Sequence, residues 1–369
     1  MRFLFLSLMM VVMNGLLAQE SYLLVGTYTN KNSEGIYVYK FNTSTGEAKK
    51  VSSTLIENPS YLAFSKDKKY LYSVNENGDG KGGVTAFSFD EGNGMLTKLN
   101  SQLSNGDHPC YISVDNSGKW VVAGNYTGGN FSVYPVKNDG SLGEAVQIIQ
   151  HSGSGANKER QEKPHVHSVV FSPDGKYLAV ADLGTDKVYM YPFDAAAAKP
   201  VNETAIENAT APGAGPRHII FHKSLPYAYT IEEMSGKVSV YSVAGNGTLK
   251  GIQSVTSHPD GYKGDIGSAA IKISNDGKYL YASNRGASNT IAAFSIDQST
   301  GKVKTQKIVN CGGKGPRDFA LDPSGNFIIA ANGGSDNITI IRRNTNTGIP
   351  ESVGKQVAIS QPVCLIFSD

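Results

Sequence analysis

One pattern recurs six times along this chain and restricts its fold more than any other feature. It reads YLAFSKDKKYLYSVN from Tyr61, YISVDNSGKWVVAGN from Tyr111, SVVFSPDGKYLAVAD from Ser168, HIIFHKSLPYAYTIE from His218, AIKISNDGKYLYASN from Ala270 and DFALDPSGNFIIAAN from Asp318. Each copy is a short apolar strand, a turn of the S-x-D-G-K kind, a second apolar strand and a closing polar residue. The Asp-Gly and Ser-Gly pairs supply the positive φ of tight hairpins. A third strand follows in most copies, such as GGVTAFSFD or GKVSVYSVA, and a turn such as STGKV leads to a less regular fourth. The copies start 48 to 57 residues apart. Four strands per fifty residues is the blade of a β-propeller, since a solenoid of that period is largely helical.

The ends set the blade count. SYLLVGTYTN, from Ser21, matches a second strand with no first strand before it. CLIFSD, from Cys364, matches a first strand with nothing after it. Together they complete a seventh blade, closed by main-chain hydrogen bonds that leave no open gap. The expectation is an all-β, seven-bladed propeller with four antiparallel strands per blade, occupying 19–369 as a single domain. Asp194–Pro212 reads as an outer strand with a surface loop.

Residues 1–18 read differently. MRFLFLSLMMVVMNGLLA has one arginine, an apolar run and small or apolar residues up to Ala18. This is a signal-peptide pattern, its apolar run too short for a comfortable span. Cleavage is expected near Ala18–Gln19, with export to the periplasm or the medium and no membrane contact afterwards; an uncleaved anchor is the alternative. The net charge of +2 comes without any Lys/Arg run, which argues against nucleic acid as a partner. The three cysteines, Cys110, Cys311 and Cys364, are too few and too scattered for a disulfide framework or a zinc pattern and read as buried small residues. A monomer is expected.

The repeat also locates a site. In a propeller the first strand of each blade lines the central channel. The loop entering it and the loop leaving the second strand share one face. The entering residues are Ser60, Cys110, His167, Arg217, Ala269, Arg317 and Val363. The second strands end at Thr27, Asn75, Asn125, Asp182, Glu232, Asn284 and Asn332, followed by Tyr28, Glu76, Tyr126, Leu183, Glu233, Arg285 and Gly333. Titratable groups gathered at a concave mouth are the default site. Asn75, Asn125 and Asn332 read first as turn caps, and arginines also serve as braces between blades. His167 and Glu233, sharing a face with Arg217 and Arg285, are harder to explain structurally.

Other motifs are weaker. NENGDGKGG partly resembles a calcium loop but lacks the closing glutamate. His165 and His167 form an H-x-H pair with no clear third ligand. The glycine-rich segments do not sit between a strand and a helix, as a nucleotide loop requires. No metal or other cofactor is expected. Cys110 enters the mouth and is a minor candidate nucleophile.

ERQEKPHVHSVVFSPDGKY (from Glu159), PGAGPRHIIFH, YAYTIEEMSGKVSVY and LYASNRG resemble the seven-bladed lactonase family, which includes propeller-type 6-phosphogluconolactonases and a fungal carboxy-cis,cis-muconate cyclase. VGTYT, NPSYLAF, HPCYISVD, GNYTGG and the second G-P-R segment fit as well, so the resemblance spans the mature chain. In the cyclase a histidine, two arginines and a glutamate are implicated in catalysis. Matched by motif, they fall on His167 in PHVHS, Arg217 in GPRH, Glu233 in IEEMS and Arg285 in SNRG. The signal peptide departs from what phosphogluconolactone, a cytosolic intermediate, would require.

The resemblance implies hydrolysis of a small anionic sugar-acid lactone, 6-phosphogluconolactone to 6-phosphogluconate, by water attack at the channel mouth. Glu233 or His167 would activate the water, and Arg217 and Arg285 would polarise the carbonyl. Tyr28, Glu76, Asn125, Tyr126, Asp182, Arg317 and Asn332 are the expected substrate contacts. The alternatives are a muconate-type lactone cyclase and an exported propeller that binds without catalysing.

Overall fold

The computed structural model describes residues 20–369, so the expected signal peptide lies outside the described residues. Among these residues, seven four-stranded antiparallel sheets account for all twenty-eight strands. Blade one joins Pro362–Phe367 to Glu20–Thr27, Gly35–Asn42 and Glu47–Leu55. Blades two to seven follow in order over 62–103, 109–150, 166–209, 216–256, 268–310 and 316–358. The seven-bladed expectation holds, including the blade shared by both ends.

The first hairpin of a blade forms for a local reason. In blade four, Ser172 Oγ donates to Asp174 Oδ1 at 2.6 Å and accepts the Tyr177 amide at 3.0 Å. Gly175 takes φ +69°. Ser65 with Asp67 and Ser274 with Asp276 repeat the arrangement. These side-chain acceptors satisfy turn amides that water would otherwise hold.

Aliphatic and aromatic side chains from facing sheets form the core between successive blades, as Val122, Phe131, Val169 and Val180 do between blades three and four. The axis is filled below one mouth. Tyr61 of blade two stacks on Tyr111 of blade three at 4.0 Å, and both meet the edge of His218 from blade five, at 5.9 and 5.1 Å. Contacts between non-adjacent blades mean that these rings span the channel and floor the cup above them.

Candidate active site

The same irregularity opens most of the inner strands. Pairing with the second strand skips Cys110 between Pro109 and Tyr111, His167 between Val166 and Ser168, Arg217 between Pro216 and His218, and Arg317 between Pro316 and Asp318. Val363 and Ala269 lie in matching shifts. A bulge frees one residue from the ladder and re-aims its side chain, which is how strands commonly build sites at their ends. The bulged residues are the entering residues of the repeat. Within four of the blades the amide that follows the second strand bonds the loop entering the first: Glu233 N to Gly215 O at 2.8 Å, Tyr126 N to His108 O at 2.9 Å, Arg285 N to Gly267 O at 3.0 Å and Tyr28 N to Gln361 O at 3.1 Å. The two rings of residues are thereby locked side by side.

Glu233 is the hub. Its Oε2 accepts from Arg217 Nε at 3.1 Å and from Arg285 Nη2 at 2.8 Å, and its Oε1 from Arg160 Nη2 at 2.8 Å. Burial alone would raise its pKa, but Arg285 and Arg217 outweigh that and hold it well below the usual carboxylate range. Arg217 is the most deeply buried of the three. Its Nη1 donates to Ala269 O at 2.6 Å and to His218 Nε2 at 3.0 Å, so that imidazole nitrogen carries no proton. Burial, with Arg317 and Arg285 nearby, lowers the Arg217 pKa to about 10, which leaves it charged at neutral pH.

His167 lies beside this hub, its ring against Tyr126 and His218 at 5.3 and 5.5 Å. Burial first, then the Arg217 charge, push its pKa well below 6.5, so the ring is neutral near pH 7. Its Nδ1 lies 3.6 Å from Cys110 Sγ. Burial pushes the Cys110 thiol up to about 12, so it stays protonated near neutral pH, which corrects its candidacy as a nucleophile. Across the mouth, Tyr28 OH donates to Glu76 at 3.0 Å, Arg317 Nη2 is 3.7 Å from the same carboxylate, and the guanidinium covers the Tyr28 ring at 5.7 Å. Burial pushes the Tyr28 hydroxyl above its ordinary value, so it is a hydrogen-bond donor here.

The structure thus gathers His167, Arg217, Glu233 and Arg285, with Tyr28, Glu76, Tyr126 and Arg317 around them. It does not bring in Asn125, Asp182 or Asn332. Asn125 Nδ2 bonds Ser104 O and Asn130 Oδ1. Asp182 accepts the amides of His165, Gly184 and Thr185 and bonds His151 Nδ1 at 2.7 Å. Asn332 bonds Thr339 and Cys311. All three are fully buried and tie loops together. They correct the expectation that ring position alone makes a substrate contact.

Arg160 is the residue that sequence reasoning missed. It stands in the ERQEKPHVH segment, in the long loop before blade four, where no other blade has a counterpart. The next residue anchors that loop: Gln161, fully buried, donates from Nε2 to Leu183 O at 2.8 Å and to Asp186 Oδ1 at 2.6 Å. Asp186 Oδ1 also accepts Gly215 N at 2.9 Å, which joins the Arg160 loop to the turn that carries Arg217.

Known proteins share this architecture. A family described as "Lactonase, 7-bladed beta-propeller" matches residues 22–367. The 6-phosphogluconolactonase of Bacillus subtilis (strain 168) is 38% identical over 348 residues, covering 93% of this chain and 97% of its own. That of Formosa agariphila is 38% identical over 344 residues, covering 91% and 96%. A solved Pseudomonas aeruginosa structure, described as a periplasmic gluconolactonase, superposes with a TM-score of 0.90 at 36% identity over 95% of this chain and 99% of that one. A fold, a mouth of arginines and a family match that run the length of the described propeller agree: the chain belongs to the seven-bladed β-propeller lactonase family.

Proposed function

We propose that this protein hydrolyses 6-phosphogluconolactone to 6-phosphogluconate at the mouth floored by Tyr61, Tyr111 and His218. The observation that carries this reading is a carboxylate clasped by three guanidiniums beside a neutral imidazole. Glu233 is too well stabilised as an anion to be a useful base. His167 takes that role, because its Nδ1 faces Cys110 Sγ at 3.6 Å and burial leaves the imidazole unprotonated. Water attacks the lactone carbonyl and its proton passes to His167. Negative charge collects on the carbonyl oxygen, where Arg217 and Arg285, held rigid by Glu233, offer preorganised donors. The ring C–O bond breaks, the leaving alkoxide regains the proton, and the new carboxylic acid ionises.

The charge balance supports an anionic substrate. Arg160, Arg217, Arg285 and Arg317 face Glu76 and Glu233 in one cup, four guanidiniums to two carboxylates. The signal-peptide pattern and the periplasmic relative support action outside the cytoplasm. The test is proton release from freshly made 6-phosphogluconolactone, which also opens spontaneously, with an Arg217→Ala/Glu233→Ala protein setting the baseline. We expect a rate well above baseline that drops at least about a hundredfold in the variant. A rate equal to baseline sinks the assignment and leaves another lactone, a muconate-type cyclisation or ligand binding alone.

A further inference from the structure

The three guanidiniums on Glu233 are not equivalent. Arg217 is fixed by bonds to Glu233, Ala269 O and His218, and its side chain is 2% exposed. Arg285 is backed by Gly267 O at 3.1 Å and is 24% exposed. Arg160 is 47% exposed. Besides Glu233, its guanidinium has one further hydrogen bond among the described residues, a long 3.3 Å bond to Tyr126 OH. It also has Oε1 to itself, whereas the other two arginines share Oε2. Removing Arg160 from Glu233 therefore leaves the carboxylate paired twice. One carboxylate balances one of the three charges, so two positive charges remain for a ligand. The backbone under Arg160 does not move freely, because Gln161 is buried and bonded to Leu183 and Asp186. The result is a half-exposed cationic side chain on an anchored stem at the rim of a cationic cup.

We propose that Arg160 selects lactones that carry a phosphate monoester: it leaves Glu233 and pairs with the phosphoryl group when substrate enters. This rests on the lactone-hydrolysis reading and adds to it the residue that discriminates among lactones. A phosphoryl group carries close to two negative charges at neutral pH and offers oxygens matched to the planar guanidinium fork. A neutral lactone offers nothing in exchange for the bond to Glu233, so Arg160 stays where it is and contributes no affinity.

The experiment compares kcat/KM for 6-phosphogluconolactone and for the unphosphorylated glucono-δ-lactone in wild type, Arg160→Ala and Arg160→Lys. The readout is the ratio of the two. We expect it to fall by about ten- to a hundredfold in Arg160→Ala, the loss of one charged pair, mainly through KM, and by less in Arg160→Lys. Equal losses on both lactones would mean that Arg160 serves only to hold Glu233, and an unchanged ratio would mean that it touches neither; either overturns the proposal. Titration calorimetry with 6-phosphogluconate and gluconate gives a readout that does not depend on turnover. If wild type accelerates neither lactone, the hydrolysis reading fails. The selection by Arg160 then stands on a preference for 6-phosphogluconate that Arg160→Ala abolishes, and falls if the two compounds bind alike. The half-exposed position of Arg160 and the intact Gln161 anchor keep the variants folded, which their melting temperatures check.

Discussion

At the scale of single residues, the division of labour around Glu233 turns on burial. The same low-dielectric setting that would neutralise an isolated carboxylate makes three guanidiniums hold it ionised, and it makes His167 neutral because charging it beside Arg217 is unfavourable. This has a consequence for pH. On the proposed mechanism His167 acts unprotonated, and its pKa lies well below 6.5, so kcat/KM for the neutral glucono-δ-lactone should stay level as pH falls from about 7.5 to about 6 and decline only in more acid solution. The neutral substrate keeps the phosphate's own titration, near pH 6, out of the profile. His167→Gln should lose at least about a hundredfold in rate across the whole range. An acid limb centred at the ordinary histidine value would mean that the imidazole is not desolvated as described, and a profile unchanged by His167→Gln would assign the proton to another group.

At the scale of elements, the blades are bolted to one another by an aromatic set on a glycine. Tyr227, opening the second strand of blade five, packs on Gly301 in the outer hairpin of blade six and donates from its hydroxyl to Ser299 O. Tyr22, Tyr70, Tyr177, Tyr279 and Phe327 lie in the same way on glycines of the following blades, and at the remaining junction Trp120 Nε1 donates to Ala195 O. A Cβ on Gly301 would stand 2.3 Å from the Tyr227 ring, and φ there is +69°. Gly118 is a control: its φ is +73°, but a Cβ would meet nothing within 4 Å. Gly118→Ala should cost about 1–2 kcal/mol from the backbone alone, and Gly301→Ala about 2–4 kcal/mol, because overpacking adds to it. Thermal unfolding of the two variants checks this, and equal melting temperatures would remove the bolt from the account. These contacts also mark what was legible beforehand. The S-x-D-G-K turns and the alternating strands declare themselves locally, so blade number, closure and the ring of entering residues could be read from the repeat. Alignment of blades gives the position of a residue but not the aim of its side chain. His167 and Asp182 therefore looked alike as ring members, although a bulge turns His167 to the mouth and Asp182 collects loop amides. Arg160 escaped notice because a loop that occurs once has no register against the other blades.

At the scale of the whole molecule, a ring of seven blades is as secure as its one non-covalent closure. Among the described residues Pro362–Phe367 is the only inner strand supplied by the opposite end of the chain from its partner, and it pairs with Glu20–Thr27 from Leu23 opposite Phe367 to Thr27 opposite Pro362. Ser368 N bonds Tyr22 O at 3.0 Å, and Leu365 N donates to Asp318 Oδ2 of the neighbouring blade at 3.1 Å. Cys364, Leu365 and Phe367 are buried, so the strand contributes core as well as hydrogen bonds. The closure also reaches the mouth, since Gln361 O holds the Tyr28 amide and Tyr28 holds Glu76 opposite Arg317. Deleting residues 362–369 should therefore do two things at once. It exposes the unpaired edge of Glu20–Thr27 and apolar faces on both flanking blades, which favours association between chains. It also frees one side of the cup while leaving Glu233 and its arginines, in blades four to six, bonded as before. The truncated protein should elute from a sizing column as larger species and lose its single sharp melting transition. Hydrogen exchange should then show protection lost first in blades one and seven and kept longest in blades four and five. Uniform loss of protection around the ring would mean instead that the seven blades fold only as one closed unit, with no part of the site able to outlast the closure.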